Sequence, residues 1–190
     1  MVPETFNETF NETFDQMLTR QVGNEFAASH QYIAVAVWFD SQDLPQLAKH
    51  FYRQSLEERN HAMMIVRYIL DRNLPLVIPE VGTVRNEFAD VHEPLALALA
   101  QEQEVTEQIK ALFAAARAEN DALGEQFMLW FLKEQVEEVA SMTTLVNIAR
   151  RADNLFDLEN FVAREHVHGG GHGHGGGHGS GAPEAAGGAV

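Results

Sequence analysis

Apolar residues recur every three or four positions over four long segments of the chain, the spacing of one buried face of an α-helix. The pattern predicts four helices, at about 13–40, 43–72, 90–118 and 122–151. The second is expected to start at Asp43, because Asp43 and Gln46 have the spacing of a capping box and Pro45 is tolerated in the first turn. Four amphipathic helices of similar length favour a helical bundle.

The segment between the second and third predicted helices, residues 73–91, contains Pro75, Pro79 and Gly82 and has no sustained period. It is long for a connection between two helices. Fully extended it could span ~60 Å, more than the ~40 Å length of a helix of this size. The connection is therefore predicted to cross the bundle from end to end.

A short fifth helix is predicted from Asn154 to about Glu165, with Asp157 at the third position of its first turn. Residues 1–12 repeat an acidic Glu-Thr-Phe-Asn unit and are interpreted as a flexible arm. Residues 166–190 are rich in glycine, histidine and alanine, have little to bury and are predicted to be disordered. The domain organisation is therefore an arm (1–12), a helical domain (13–165) and a tail (166–190).

Polar residues interrupt the apolar face of every long helix near its middle. These residues are Glu25, Glu58, His61, Glu102, Gln135 and Glu138, and Tyr32 lies two turns after Glu25 on the same face. A single polar residue at such a position is most often a register device or a satisfied core hydrogen bond. Four carboxylates converging with one imidazole cannot neutralise one another.

Protonation, a water-filled core or a polyvalent cation could relieve the repulsion between these buried acids, and a cation is the simplest of the three. Carboxylates with one histidine suit a divalent metal such as iron or manganese better than a closed zinc site. Ligands from four helices are the arrangement of a dinuclear carboxylate site in a bundle. In this chain one helix keeps Glu58-x-x-His61, whereas the other has Gln135-x-x-Glu138.

Composition narrows the possible functions. The chain has 28 acidic and 13 basic residues, a net charge of −15, and no cysteine. So acidic a chain repels nucleic acid and anionic membranes and attracts cations, and no apolar run is long enough for a membrane span. Thiolate metal sites, thiol nucleophiles and disulfides are excluded. Together with the absence of a signal peptide, this composition fits a cytoplasmic protein.

Three segments, 24–32 (NEFAASHQY), 57–62 (EERNHA) and 130–138 (WFLKEQVEE), resemble the non-haem bacterial ferritins. The resemblance covers about residues 13–165. It implies a ferritin-like antiparallel four-helix bundle with one long crossover and a short fifth helix. It also implies iron storage in a homo-oligomeric shell of 24 subunits, with Fe(II) oxidised by O₂ or H₂O₂ inside each subunit.

The resemblance further implies roles for individual residues. Glu25, Glu58 and His61 match the ligands of a first ferroxidase iron. Glu58 as a bridge, Glu102 and Glu138 match those of a second, with Gln135 close by. Tyr32 matches a tyrosine beside the diiron centre that is a candidate electron donor. A third iron site is implied at Glu57, Glu134 and Glu137, for which a solvated acidic rim is the alternative.

Some positions depart from related families. Arg59 stands where bacterioferritins carry their haem-ligating methionine, so no haem is expected. Glu125 keeps one acid of the channel segment of animal ferritins, whereas Met128 replaces the other, which puts that iron route in doubt. Asn60 and Met63 replace inner-surface carboxylates of animal heavy chains, which weakens the case for mineral nucleation there.

Two other functions stay open at this stage. One is a diiron oxidase or peroxidase that acts on an organic substrate and needs no shell. The other is a structural helical module with a polar core. His30, His50 and His92 lie off the apolar faces and are predicted to be at the surface, and Trp130 is predicted to be a packing residue. The tail histidines 168, 172, 174 and 178 could bind Ni, Zn or Cu weakly or dock on a partner, or they could belong to a flexible tail without such a role.

Overall fold

Five α-helices build the protein in the computed structural model, which describes residues 12–168 and 181–188, and no strand forms within those ranges. The helices are α1 (Phe14–Ser41), α2 (Pro45–Asp71), α3 (His92–Ala118), α4 (Ala122–Arg151) and α5 (Leu155–His168). Short turns join α1 to α2 and α3 to α4, so each of these two pairs is antiparallel. The described helices include none with the length and apolar character that a membrane span requires.

The two helix pairs pack into a four-helix bundle. Helix α1 packs along α2 and α3 along α4, α1 also contacts α3, and α5 lies mainly against α2. The irregular segment that follows α2 extends to α3 with no helix or strand of its own. The predicted four-helix bundle with one long crossover and a short fifth helix is confirmed.

The apolar core is divided into two clusters by a polar layer. Cluster one contains Phe39, Phe51 and Leu95, and cluster two contains Leu18 and Ile65. Along α1 and α2 the buried Glu25, Glu58 and His61 fall between the two clusters in the sequence. The bundle therefore holds its predicted polar positions at mid-height, closed above and below by hydrophobic packing.

The start of α2 differs from the prediction that Asp43 caps it. Asp43 has a positive φ of 57°, and the capping position is Leu44, which makes no side-chain cap. The carboxylate of Glu159 in α5 instead accepts hydrogen bonds from the backbone N–H groups of Gln46 and Leu47, both at 2.9 Å. The cap comes from a residue far along the chain, which local spacing could not indicate.

The other helix starts follow local rules more closely. Asp90 accepts hydrogen bonds from the backbone at the start of α3, and Asp121 accepts one from Gly124 at the start of α4. Asn154 Oδ1 accepts from the backbone N–H of Asp157 at 3.1 Å, as the predicted start of α5 requires. Helix α5 continues to residue 168, so the boundary predicted at 165 falls inside it.

Part of the segment predicted to be disordered has a defined position. The Ala186 backbone N–H donates to the Met63 carbonyl of α2 at 3.0 Å, and Ala185 and Ala186 pack against cluster two. The rest of the predicted tail beyond α5, and the arm apart from Glu12, lie outside the described residues. The C-terminal segment 181–188 is thus attached to the outside of α2.

Of the three histidines predicted to be at the surface, His30 and His92 are exposed. The prediction is wrong for His50, which is only 7% exposed. Its ring packs edge-on against Phe51 with 5.1 Å between centroids, and it lines a cavity of about 350 Å³ together with Phe161 and Val162. His50 is buried because α5 packs over this part of α2, which the periodicity of α2 alone does not reveal.

Candidate metal centre

The polar layer gathers carboxylates from all four long helices. Glu25 on α1, Glu58 on α2 and Glu102 on α3 are each 1% exposed. His61 and Gln135 are also buried, and Glu138 on α4 is half-buried. Each residue faces inward because it occupies a position that the 3.6-residue period assigns to the buried face.

The closest group in this layer is Glu25, Glu58 and His61. One ligand atom from each of the three lies within 4.8 Å of the others, and within the described residues no other three acidic or histidine side chains approach so closely. His61 Nδ1 lies 3.2 Å from Glu58 Oε2, one helical turn away. These three residues match the predicted first iron site.

Three carboxylate oxygens in the layer accept no hydrogen bond from an amide, hydroxyl or imidazole group. They are Glu25 Oε2, Glu58 Oε1 and Glu102 Oε2, all buried. The Glu25 and Glu58 carboxyl groups can share a proton only with each other. Leaving a buried charged oxygen unsatisfied costs several kcal/mol, on the order of 2–7 even for neutral polar groups. Hard carboxylate oxygens with one imidazole are the donor set that iron accepts, so these residues fit a divalent iron ion.

The raised pKa values of these carboxyl groups show that negative charge is unfavourable in the layer. Burial raises the pKa of Glu25 well above its usual range, and the neighbouring Glu58 raises it further. The pKa of Glu58 is raised by burial and then by Glu102 and Glu138. Burial and the charge of Glu102 raise the pKa of Glu138 to about 8. A cation would favour the ionised forms by replacing protons here.

The predicted second site is assembled less tightly than the first. Glu102 and Glu138 lie close enough to Glu58 to raise its pKa, but the three do not form a group within the distance that unites Glu25, Glu58 and His61. Thr106 Oγ1 donates to Gln135 Oε1 at 2.9 Å. Burial raises the pKa of Glu102, and the hydrogen bonds from Tyr32 and Gln135 oppose this rise. Gln135 therefore lies beside Glu102, as expected.

Tyr32 lies where the polar layer meets cluster one. It is fully buried, and its hydroxyl donates a hydrogen bond to Glu102 Oε1. Burial and the charge of Glu102 raise the pKa of the phenol well above its usual value. The phenol therefore remains protonated and is connected directly to a predicted ligand.

The acids predicted for a third site lie toward the surface. Glu57 and Glu134 are half-buried, and both are near enough to Glu138 to raise its pKa. Glu137 is exposed. Glu57 also lies 3.7 Å from Arg53. The structure thus places two of the three acids beside the second site without gathering all three around one point.

Three polar residues that sequence reasoning did not assign to the centre contact its predicted ligands or Gln135. Gln21 Nε2 donates to Glu25 Oε1 at 2.8 Å, and Gln54 Nε2 donates to Glu138 Oε2 at 3.1 Å. Thr106, described above, is the third. Gln21 lies four residues before Glu25 on α1, a spacing that places the two side chains on one face. Gln54 reaches Glu138 on α4, which no spacing within α2 indicates.

Packing around the centre agrees with the prediction for Trp130. The rings of Trp130 and Phe131 pack edge-on against His61, with 5.8 and 5.7 Å between centroids. Met128 is fully buried in cluster two, and Glu125 pairs with Arg117 at 2.9 Å. The segment that lines a channel in animal ferritins therefore contributes one core side chain and one neutralised acid.

Comparison with known proteins identifies relatives across most of the chain. The ferritin family profile, described as a ferritin-like domain, matches residues 16–152. A ferritin of Mycobacterium tuberculosis, BfrB, is 63% identical over 150 residues, covering 78% of this chain and 83% of its own length. The BfrB ferritin of Mycolicibacterium smegmatis is 58% identical over 175 residues, covering 92% and 93%.

More distant relatives agree. The bacterial non-heme ferritin of Staphylococcus aureus is 35% identical over 136 residues, covering 72% of this chain and 82% of its own length. The open pore ferritin of Archaeoglobus fulgidus has the same fold, with a TM-score of 0.77 at 25% identity over 82% of this chain and 97% of that chain. The chain therefore belongs to the ferritin family, and its relatives agree with the predicted resemblance to the non-haem bacterial ferritins.

Proposed function

We propose that this protein stores iron, and that each subunit oxidises Fe(II) to Fe(III) at the polar layer of its bundle before the iron is deposited as ferric oxyhydroxide. Membership of the ferritin family supports the storage role. One observation carries the oxidation step. Three buried carboxylate oxygens, on Glu25, Glu58 and Glu102, accept no hydrogen bond from an amide, hydroxyl or imidazole group.

In this proposal Fe(II) is the substrate, and two ions bind side by side. Glu25, Glu58 and His61 hold the first, and the short distances among their ligand atoms support this assignment. Glu58 bridges to the second ion, which Glu102 and Glu138 also hold, with Gln135 beside them. Anionic oxygen ligands favour Fe(III) over Fe(II), so the site lowers the free energy of the oxidised product.

The redox step takes one electron from each of two Fe(II) ions. With O₂ as the oxidant, the two electrons and two protons yield H₂O₂; with H₂O₂ as the oxidant, they yield water. Tyr32 is placed to supply a further electron, because its proton can pass to Glu102, which already accepts its hydrogen bond. Glu57, Glu134 and Glu137 are proposed to bind iron on its way out of the centre.

The proposal includes assembly of 24 copies into a hollow shell, as its family relationship suggests, and a cytoplasmic location, as its cysteine-free composition suggests. Haem is not part of the proposed function, because Arg59 occupies the position at which a haem-ligating methionine would be needed. An assembled shell would give the Fe(III) product an enclosed volume in which to mineralise.

The decisive experiment compares the wild type with Glu58→Ala and with Glu107→Ala, an exposed acid on α3 that pairs with Lys110. Gel filtration should show particles near half a megadalton for all three proteins. Fe(II)-dependent O₂ uptake should be fast in the wild type and in Glu107→Ala and should fall by at least tenfold in Glu58→Ala.

Two results would contradict this function. Unchanged O₂ uptake in an assembled Glu58→Ala variant would remove Glu58 from the oxidation site. A wild-type protein that elutes as a monomer or dimer would argue against the shell and favour a soluble diiron oxidase or a structural module.

A further inference from the structure

One oxygen of the Glu25 carboxylate is held in place and the other is left for a ligand. Oε1 accepts the hydrogen bond from Gln21 Nε2 at 2.8 Å, whereas Oε2 is buried and accepts no hydrogen bond from an amide, hydroxyl or imidazole group; only the Glu58 carboxyl group can share a proton with Glu25. Gln21 is 2% exposed, so water does not compete for this bond. The Gln21 amide therefore determines which oxygen of Glu25 is available to a metal.

The Gln21 amide can donate a hydrogen bond to Glu25 Oε1 only if its NH₂ group, rather than its carbonyl, points at Glu25. A side-chain amide has a donor end and an acceptor end of similar shape, and its neighbours decide which way it turns. Gln21 Oε1 accepts a hydrogen bond from Asn24 Nδ2 at 3.1 Å. Because Asn24 donates, the carbonyl of Gln21 turns toward Asn24 and its NH₂ group turns toward Glu25.

The orientation of Asn24 is determined in turn from α3. Its Nδ2 also donates to Gln108 Oε1 at 3.0 Å, and Gln108 Nε2 donates to Glu104 Oε1 at 3.4 Å. An ionised carboxylate can only accept hydrogen bonds. Glu104 is exposed, and it lines a cavity of about 230 Å³ with Asn24 and Gln108. A surface acid thus sets the direction of a hydrogen-bond chain that ends at Glu25.

We propose that Gln21 is a positioning residue of the iron centre, and that Asn24 acts on the centre through Gln21. The inference rests on the proposed function, since it assigns Gln21 a role toward the metal that Glu25 would bind. Groups that orient metal ligands typically contribute 10–100-fold to metal affinity. Gln21 would do so by presenting Glu25 Oε2 to the metal in one fixed direction.

The test is an anaerobic titration of the metal-free protein with Co(II), whose visible absorption reports the geometry of its ligands. We expect the wild type to bind two Co(II) ions per subunit. Gln21→Met, which keeps the side-chain size, should bind one of the two ions roughly 10–100-fold more weakly, with an altered absorption spectrum. Gln103→Met, an exposed change on α3, is the matched control and should behave like the wild type.

Asn24→Asp separates positioning from simple electrostatics, because the two mechanisms predict opposite signs. The substitution adds a negative charge near the centre, which by itself would strengthen Co(II) binding. It also replaces the donor to the Gln21 carbonyl by an acceptor, so the Gln21 amide loses the hydrogen bond that keeps its NH₂ group turned toward Glu25. We expect weaker Co(II) binding, and no further weakening by Asn24→Asp when Gln21→Met is already present.

The possible outcomes distinguish this inference from the proposed function. A wild type that binds no Co(II) would contradict the metal centre itself. Wild-type binding together with an unchanged affinity and spectrum in folded Gln21→Met would overturn the role of Gln21. Tighter or unchanged binding in Asn24→Asp, or equal losses in both backgrounds, would overturn the action of Asn24 through Gln21. Circular dichroism and gel filtration establish that each variant is folded and assembled.

Discussion

Glu159 Oε1 accepts a hydrogen bond from the backbone N–H of Leu47, 2.9 Å away, although 112 residues separate them in the chain. The second carboxylate oxygen accepts from the neighbouring N–H of Gln46. A carboxylate at this point also interacts favourably with the positive end of the α2 dipole. The short fifth helix therefore completes the start of a helix that carries two predicted ligands of the diiron centre, Glu58 and His61.

We predict that Glu159→Ala lowers the free energy of unfolding by about 1–2 kcal/mol, because the backbone N–H groups of Gln46 and Leu47 at the start of α2 lose their acceptor. Glu159→Gln should cost less, since the amide oxygen still accepts one bond. Denaturant unfolding of the metal-free protein measures both changes. Glu165→Ala, an exposed acid on the same helix, is the control. An equal loss in Glu165→Ala would show that charge on α5, rather than the cap, is responsible.

A second prediction concerns Tyr32. The chain has three tyrosines, so each can be replaced in turn. When the metal-free protein is mixed with limiting Fe(II) and O₂, we expect a tyrosyl radical in the electron paramagnetic resonance spectrum of the wild type. Tyr32→Phe should abolish that radical, whereas Tyr52→Phe and Tyr68→Phe should keep it. The reason is that only Tyr32 donates its proton to a carboxylate of the centre.

A radical that survives in Tyr32→Phe and disappears in Tyr68→Phe would show that Tyr68, and not Tyr32, is the electron donor. Tyr68 is the informative comparison because it is partly buried against cluster two and its ring stacks on Phe127 with 3.9 Å between ring centroids.

The third prediction is a pH dependence of the metal-free protein. The pKa of Glu138 is about 8 when folded and 4.5 in its ordinary state, so the folded protein binds the proton more tightly than the unfolded chain does. Stability from this group is therefore complete below pH 4.5 and is lost as the pH rises through about 8. We expect the melting temperature of the metal-free protein to fall over this range.

Two comparisons isolate the cause. Glu138→Gln should show a shallower decline of melting temperature with pH than the wild type, because the amide does not titrate. Saturating Co(II) should raise the melting temperature most at the alkaline end, where the carboxylates are already ionised. A Glu138→Gln profile parallel to that of the wild type would exclude Glu138 as a source of the effect.

The fourth prediction tests close packing at the start of α4. A Cβ added to Gly124 would lie 2.7 Å from Phe14 Cε1 and 2.8 Å from Asp121 Oδ2. Asp121 is restrained on both oxygens, by the Gly124 N–H and by Arg72 at 2.8 Å. Gly124→Ala should therefore destabilise the protein by about 1–3 kcal/mol. Gly82→Ala, where no atom lies within 4 Å of the new Cβ, is the matched control and should change stability little.

Helical periodicity carried most of the fold prediction, because an apolar stripe at 3.6-residue spacing can be buried in few ways. It placed α1 to α4 within a few residues and put Glu25, Glu58 and Glu102 on buried faces. It failed where the deciding partner lies far away in sequence. The cap from Glu159 and the burial of His50 under α5 both depend on how a fifth helix folds back, which no local spacing describes.

The charged residues of the site could be predicted from the sequence, but most of the hydrogen bonds among them could not. A carboxylate on an apolar face is conspicuous, because its burial is costly. Gln21 is not, because a neutral amide is compatible with core, surface or cap, and its role depends on which end of the amide faces Glu25. The orientation of the Gln21 amide is determined by Asn24 and by Gln108, which lies on α3.

The position of the C-terminal segment 181–188 has a practical consequence for fusion proteins. Because Ala186 is hydrogen-bonded to Met63, a domain fused directly after residue 188 would begin two residues from a contact with α2. Helix α1 instead begins at the end of the bundle where Arg72 meets Asp15. A domain fused directly to residue 12 and one fused directly to residue 188 would therefore start at different places on the bundle.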